Sequence, residues 1–124
     1  MNPRSPYLYS TGGCGFIGDS PMPQSAIDMF ELVNSRNYVE LKKWLYSPYP
    51  EIQAFGVEGM HYFCEMGIPI EVEDVETIER LRESSTLVNT CAGCIYSAEP
   101  MKDLLKYNDL SYSYWHCKRE GYLH

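Results

Sequence analysis

Cys91 and Cys94, spaced Cys-x-x-Cys, are the pair in this sequence best suited to chemistry. Two cysteines at this spacing serve as a redox couple or as half of a zinc site. His61 and Cys64 offer two further ligands of the right type, as do His116 and Cys117. A zinc or iron centre built from Cys91, Cys94, His61 and Cys64 is therefore the metal-binding alternative. The local pattern favours a plainer role. At helical spacing Leu87, Val88, Cys91, Cys94, Ile95 and Ala98 share one face, which points both thiols at a core. There they act as small residues that let helices approach. A redox pair also wants its first cysteine at a helix N-terminus, and these sit in mid-helix on this pattern. The expectation is no metal and no cofactor.

Glu58-Gly-Met-His61 is a Glu-x-x-His motif, with Glu65 one turn further on. Di-iron bundles use that motif twice, together with two more glutamates. Only one copy occurs here. The three side chains are expected on the solvated face of a helix over 50–66.

The stretch Thr11 to Gly18, TGGCGFIG, resembles the cofactor loop of extended short-chain dehydrogenases, with Gly12, Gly15 and Gly18 in that family's glycine positions. The resemblance implies a pyrophosphate held at a helix N-terminus. The flanking sequence does not follow the family. Pro21 and Pro23 stand where the helix should run, and no buried strand precedes the loop. Glu40 falls in a helical pattern instead of ending a second strand. The family's Tyr-x-x-x-Lys is spelled at Tyr38/Lys42, too close to the loop, and at Tyr114/Lys118, in an irregular tail. There is no Gly-x-Ser-x-Gly elbow. The chain is expected not to be an enzyme.

The elements that must carry these residues are mostly helical. The chain has 124 residues, enough for one domain. Residues 1–23 hold four prolines and four glycines and read as an irregular arm, with residues 24–124 as a single helical domain. Ser25 is placed to cap the first helix, and Asn37 with Glu40 has capping-box spacing. Pro50 suits a first helical turn, and Gly67 suits the position after a helix end. Further helices are expected around 73–85, 85–97 and 99–107. The tail from Asn108 is aromatic and turn-rich.

Shifting the chain by about 36 positions lays Leu45 on Leu81, Ile52 on Val88 and Phe55 on Cys91, within the period range of two-helix repeats. The phrase LYSPYPEIQAFGVEGM resembles a HEAT repeat, and the resemblance spans Asn37 to Ser97. It implies an all-α, HEAT-like antiparallel stack of five to six helices that offers a surface to a protein partner.

Charge narrows the class of partner. The net charge is −7 and no basic stripe is present, which speaks against nucleic acid. No apolar run is long enough to span a membrane. No apolar leader segment opens the chain, so reduced thiols in the cytoplasm are the default expectation. Glu71, Glu73, Asp74 and Glu76 form an acidic run, and Tyr112, Tyr114 and Trp115 are aromatic anchors of the kind that interfaces use. Together they point to a non-enzymatic protein-binding module, in its sharper form a small acidic inhibitor or immunity-type protein that neutralises a basic partner.

Overall fold

Chain punctuation sets most helix ends in the computed structural model, which describes residues 7–9, 23–92 and 95–107. Helix α1, Gln24–Asn34, starts after Pro23, which takes the N-cap position expected for Ser25. Helix α2, Tyr38–Trp44, is capped by the Asn37 side chain, which accepts from the Glu40 amide at 3.3 Å. Helix α3, Pro50–Glu65, opens on Pro50. It closes just before Gly67, whose φ of +81° suits a residue without a Cβ. Helix α4, Val72–Leu81, follows a short linker and carries Glu73 and Asp74 in its first turn, where the helix dipole favours carboxylates.

The helix expected over 85–97 does not form. Strand β1, Leu87–Ala92, pairs antiparallel with strand β2, Ile95–Pro100, from Leu87 opposite Pro100 to Ala92 opposite Ile95. Val88, Thr90 and Ile95 are β-branched and fit a pleated surface better than a helix. A connection of two residues, one of them a glycine, suits a hairpin. The apolar spacing that mimicked a helical face is equally compatible with strands. Cys91 accordingly stands across from Tyr96 and is not a mid-helix residue. Helix α5, Met101–Tyr107, follows directly. The fold is thus mostly helical, with five helices among the described residues and a small two-stranded sheet.

Helix α3 is the centre of the molecule. It packs against α1, α2, β1 and α5, and its buried residues point in every direction. A helix apolar all round belongs inside. Phe55, Met60 and Phe63 of α3 meet Met29 of α1, Leu41 of α2, Ile78 of α4 and Met101 and Leu105 of α5 in one core. Tyr9, from the N-terminal arm, enters the same core. Its ring lies 4.8 Å from Phe55 between centroids, and its amide donates to the Asn89 carbonyl at 2.7 Å, in a parallel bridge beside β1.

Helices α2 and α3 approach closely at Gly59, where an added Cβ would sit 2.3 Å from Leu41 Cδ2. Leu41 is fully buried and has little room to turn. Overpacking of this kind costs about 1–3 kcal/mol, against about 1 kcal/mol gained in helix propensity. Gly59→Ala is therefore expected to destabilise the protein by about 1 kcal/mol, read as a lowered urea midpoint with an unchanged slope.

Candidate functional site

Because most of α3 is enclosed, the polar side chains along its middle must be satisfied inside. Glu51, in the first turn, is fully buried and its Oε2 accepts from the Asn89 amide at 2.7 Å. Glu58 is 3% exposed, and the Tyr9 hydroxyl donates to its Oε1 at 2.6 Å. Burial pushes the Glu58 carboxyl above its ordinary value, while hydrogen bonds from Tyr9 and Tyr62 act the other way. Burial also raises the Tyr9 hydroxyl well above its ordinary value, and Glu58 adds to the effect. His61 is 2% exposed, and burial brings its pKa down to about 3, with Arg82 contributing. Arg82 in turn donates from Nη1 to the Leu105 carbonyl at 2.8 Å, tying the end of α4 to α5. Glu58 and His61 are therefore core residues and not the solvated face expected of them. Only Glu65 of that trio is exposed.

The acidic run forms a second polar cluster, at the seam between α2 and the start of α4. Asp74 is its fully buried centre. Its Oδ2 accepts from the Tyr38 hydroxyl at 2.6 Å and its Oδ1 from the Tyr46 hydroxyl at 2.8 Å. The Tyr38 oxygen also accepts from the Glu71 amide at 3.0 Å, and Thr77 Oγ1 lies 3.2 Å from the Tyr46 oxygen. Lys42 Nζ reaches Glu71 Oε2 at 2.5 Å, Glu73 Oε1, and Asp74 Oδ2 at 3.4 Å. Glu71, Glu73 and Asp74 are close enough to hold a cation, and the Lys42 ammonium is the cation among them. Hydrogen bonds to Glu71 and Glu73 raise the Lys42 ammonium, and Lys42 lowers the Glu73 carboxyl. Burial, then Asp74, raises the Tyr38 hydroxyl. Tyr38 and Lys42, spaced Tyr-x-x-x-Lys, do meet at one carboxylate, but the phenol is made a weaker acid, not a stronger one.

The structure divides the expected partner-contact residues. Glu71, Glu73 and Glu76 are exposed. Asp74 is fully buried and sits beneath them as the acceptor of the Tyr38 and Tyr46 hydroxyls, not at the surface where a partner-facing residue was expected. Tyr112, Tyr114 and Trp115 lie outside the described residues, as do Cys94 and the glycine loop. Cys64 and Cys91 are each disulfide-bonded. A sulfur in a disulfide is not a thiolate ligand, so the metal set of Cys91, Cys94, His61 and Cys64 loses two members, and the expectation of reduced thiols does not hold for them. His61 sits within the core and, among the described residues, belongs to no group of potential metal ligands.

Tyr9 and Tyr46 are the residues that sequence reasoning missed, and Tyr38 and Lys42 stood out there only for their Tyr-x-x-x-Lys spacing. Among the described residues, no helix is long and apolar enough to cross a membrane. No protein-family model, curated protein or solved structure matches the chain.

Proposed function

We propose that the protein is a non-enzymatic protein-binding module whose acidic α2–α4 seam receives a basic protein partner. The observation that carries this is the arrangement around Asp74. A buried carboxylate, two tyrosine hydroxyls and one lysine hold Glu71 and Glu73 at the surface in fixed positions. Charges fixed in advance steer association and need little reordering on contact. Lys42, Tyr38 and Tyr46 are all shifted toward keeping their protons, which does not suit a nucleophilic lysine or a tyrosinate base.

The helices α1 to α4 would act as a HEAT-like scaffold presenting this seam. A small acidic inhibitor or immunity-type protein is the sharper form of the same role. The disulfides at Cys64 and Cys91 favour an oxidising compartment over the cytoplasm as its place of work.

The test is a pull-down from source lysate at low and high salt, read by mass spectrometry and followed by association kinetics with the protein retained. One dominant basic protein that elutes with salt is expected. Glu73→Lys with Glu76→Lys should slow its association at low salt by about tenfold or more, since rim charges act mainly on the on-rate. An unchanged rate would remove the seam from the binding role.

A further inference from the structure

The N-terminal strap, residues 7–9, is fastened to the body of the protein at a carboxyl group inside the core. Tyr9 is 6% exposed, its ring lies against Phe55, and its hydroxyl donates to Glu58 Oε1 at 2.6 Å. Its amide donates to the Asn89 carbonyl at 2.7 Å, where Tyr9 pairs with Thr90 of β1. Two residues earlier, the Tyr7 ring meets Tyr49 edge-on at 4.9 Å between centroids. Docking of the strap therefore closes Glu58 into the core. Lifting it uncovers the Phe55 ring, the Asn89 carbonyl and the Glu58 carboxyl together.

The surroundings of Glu58 do not balance a charge. Among the described residues it forms no ion pair. Its hydrogen-bonding neighbours are the phenols of Tyr9 and Tyr62. His61, one turn along α3, is held neutral by burial and by Arg82, and Arg82 donates to the Leu105 carbonyl. Glu51, two turns back, accepts from the Asn89 amide. Asp74 of α4 is taken up by Tyr38 and Tyr46 at the α2–α4 seam. The buried residues of α1, α2, β1 and α5 carry no charge. A carboxylate enclosed in this way is costly, and two phenol hydrogen bonds offset only part of that cost. The protonated carboxyl is neutral and fits, which is why burial pushes Glu58 above its ordinary value.

We infer that the strap is a proton-linked latch: it stays docked over Glu58 while that carboxyl holds its proton, and it lifts as the proton passes to solvent. The open state returns Glu58 to water, where it ionises freely. The closed state binds the proton more tightly, so acid closes the strap and rising pH opens it. His61 works in the opposite sense, because any opening that wets it is favoured by acid. The sign of the pH effect therefore tells which group is responsible. The latch is separate from the acidic seam and does not rest on the binding role proposed for it.

The experiment is amide hydrogen exchange on the full chain, with disulfides intact, read by NMR at several pH values and corrected for the intrinsic exchange rate. The reporter is the Tyr9 amide, whose bond to Asn89 belongs to the docked strap. Its protection is expected to fall as pH rises, by up to about tenfold per pH unit, the limit for one linked proton. The fall should begin near the ordinary carboxyl value of 4.5 and level off where Glu58 titrates in the docked protein. The carbon-13 shift of the Glu58 carboxyl in the parent protein locates that pH and needs no substitution. Glu58→Gln keeps an oxygen to accept from Tyr9 and cannot ionise, so the slope should vanish and the strap should stay docked. Protection of Tyr9 that is level with pH or rises with it overturns the latch. So does a slope that survives Glu58→Gln, a Glu58 titration away from the pH where protection levels off, or a Tyr9 amide unprotected at every pH.

Discussion

Asp74→Ala is expected to destabilise the protein by about 3 kcal/mol, the largest single-residue loss at the seam. Asp74 is fully buried and is the shared acceptor of the Tyr38 and Tyr46 hydroxyls, with Lys42 Nζ 3.4 Å away. Removing a buried acceptor costs more than the net value of its bonds, because its donors stay behind without it. The loss falls short of the upper end for a buried charged group because Tyr46 and Lys42 lie near enough to the surface to recruit water. Tyr38, stacked on Phe63, has less freedom to do so. Tyr38→Phe should cost about 1 kcal/mol, since Asp74 keeps Tyr46 and Lys42. Glu73→Ala should cost well under about 1 kcal/mol, as exposed ion pairs contribute little. Urea unfolding of the three variants measures the series. If Asp74→Ala costs no more than Glu73→Ala, the seam is not organised around a buried carboxylate, and the proposed preorganisation of Glu71 and Glu73 goes with it.

The residues of this site were only half legible in the sequence, and the reason is physical. Helix ends were readable because their signals are local: Asn37, Pro50 and Gly67 act within one turn of themselves. The β1–β2 hairpin was not, since Leu87 to Ala98 carry apolar residues at a spacing that satisfies both periods. β-branching at Val88, Thr90 and Ile95 was the signal available to decide it. The acidic run was visible, but its division into exposed Glu71, Glu73 and Glu76 and buried Asp74 depends on Tyr38, which is distant in sequence. Nothing local announces such a pairing. The burial of Glu58 and His61 could have been found. Phe55, Val57, Met60 and Phe63 place apolar groups around the whole circumference of α3, which leaves no solvated side for a charge. Disulfide formation at Cys64 and Cys91 rests on three-dimensional approach, and spacing alone does not give it.

Acid should act on the protein through two buried groups of opposite sign that lie one turn apart on α3. His61 has its folded pKa lowered to about 3, against an ordinary value of 6.5. Its neutral form is the one that folding accepts, so its contribution is complete above pH 6.5 and is lost as pH falls toward 3. The slope is about 1.4 kcal/mol per pH unit, or somewhat under about 3 kcal/mol between pH 6.5 and 4.5. Glu58 has its folded pKa raised above the ordinary 4.5. Folding favours its protonated form, so its contribution is present below pH 4.5 and is lost as pH rises through the folded value. Arg82 opposes a charge on His61, while Tyr9 and Tyr62 donate to Glu58, so each group has its own set of neighbours. On descent from pH 6.5 the Glu58 effect works against the His61 loss, so the parent profile should fall less steeply than His61 alone would make it. His61→Leu removes the destabilising partner, and stability should then rise as pH falls toward 4.5. Glu58→Gln removes the stabilising partner, and stability should fall more steeply than in the parent. Urea unfolding at several pH values between 7 and 4.5, with disulfides intact, gives the three slopes. The comparison uses slopes alone, so a repacking cost common to all pH values does not affect it. Three parallel profiles would show that neither group changes its protonation on unfolding, and the buried polar line of α3 would then carry no pH dependence.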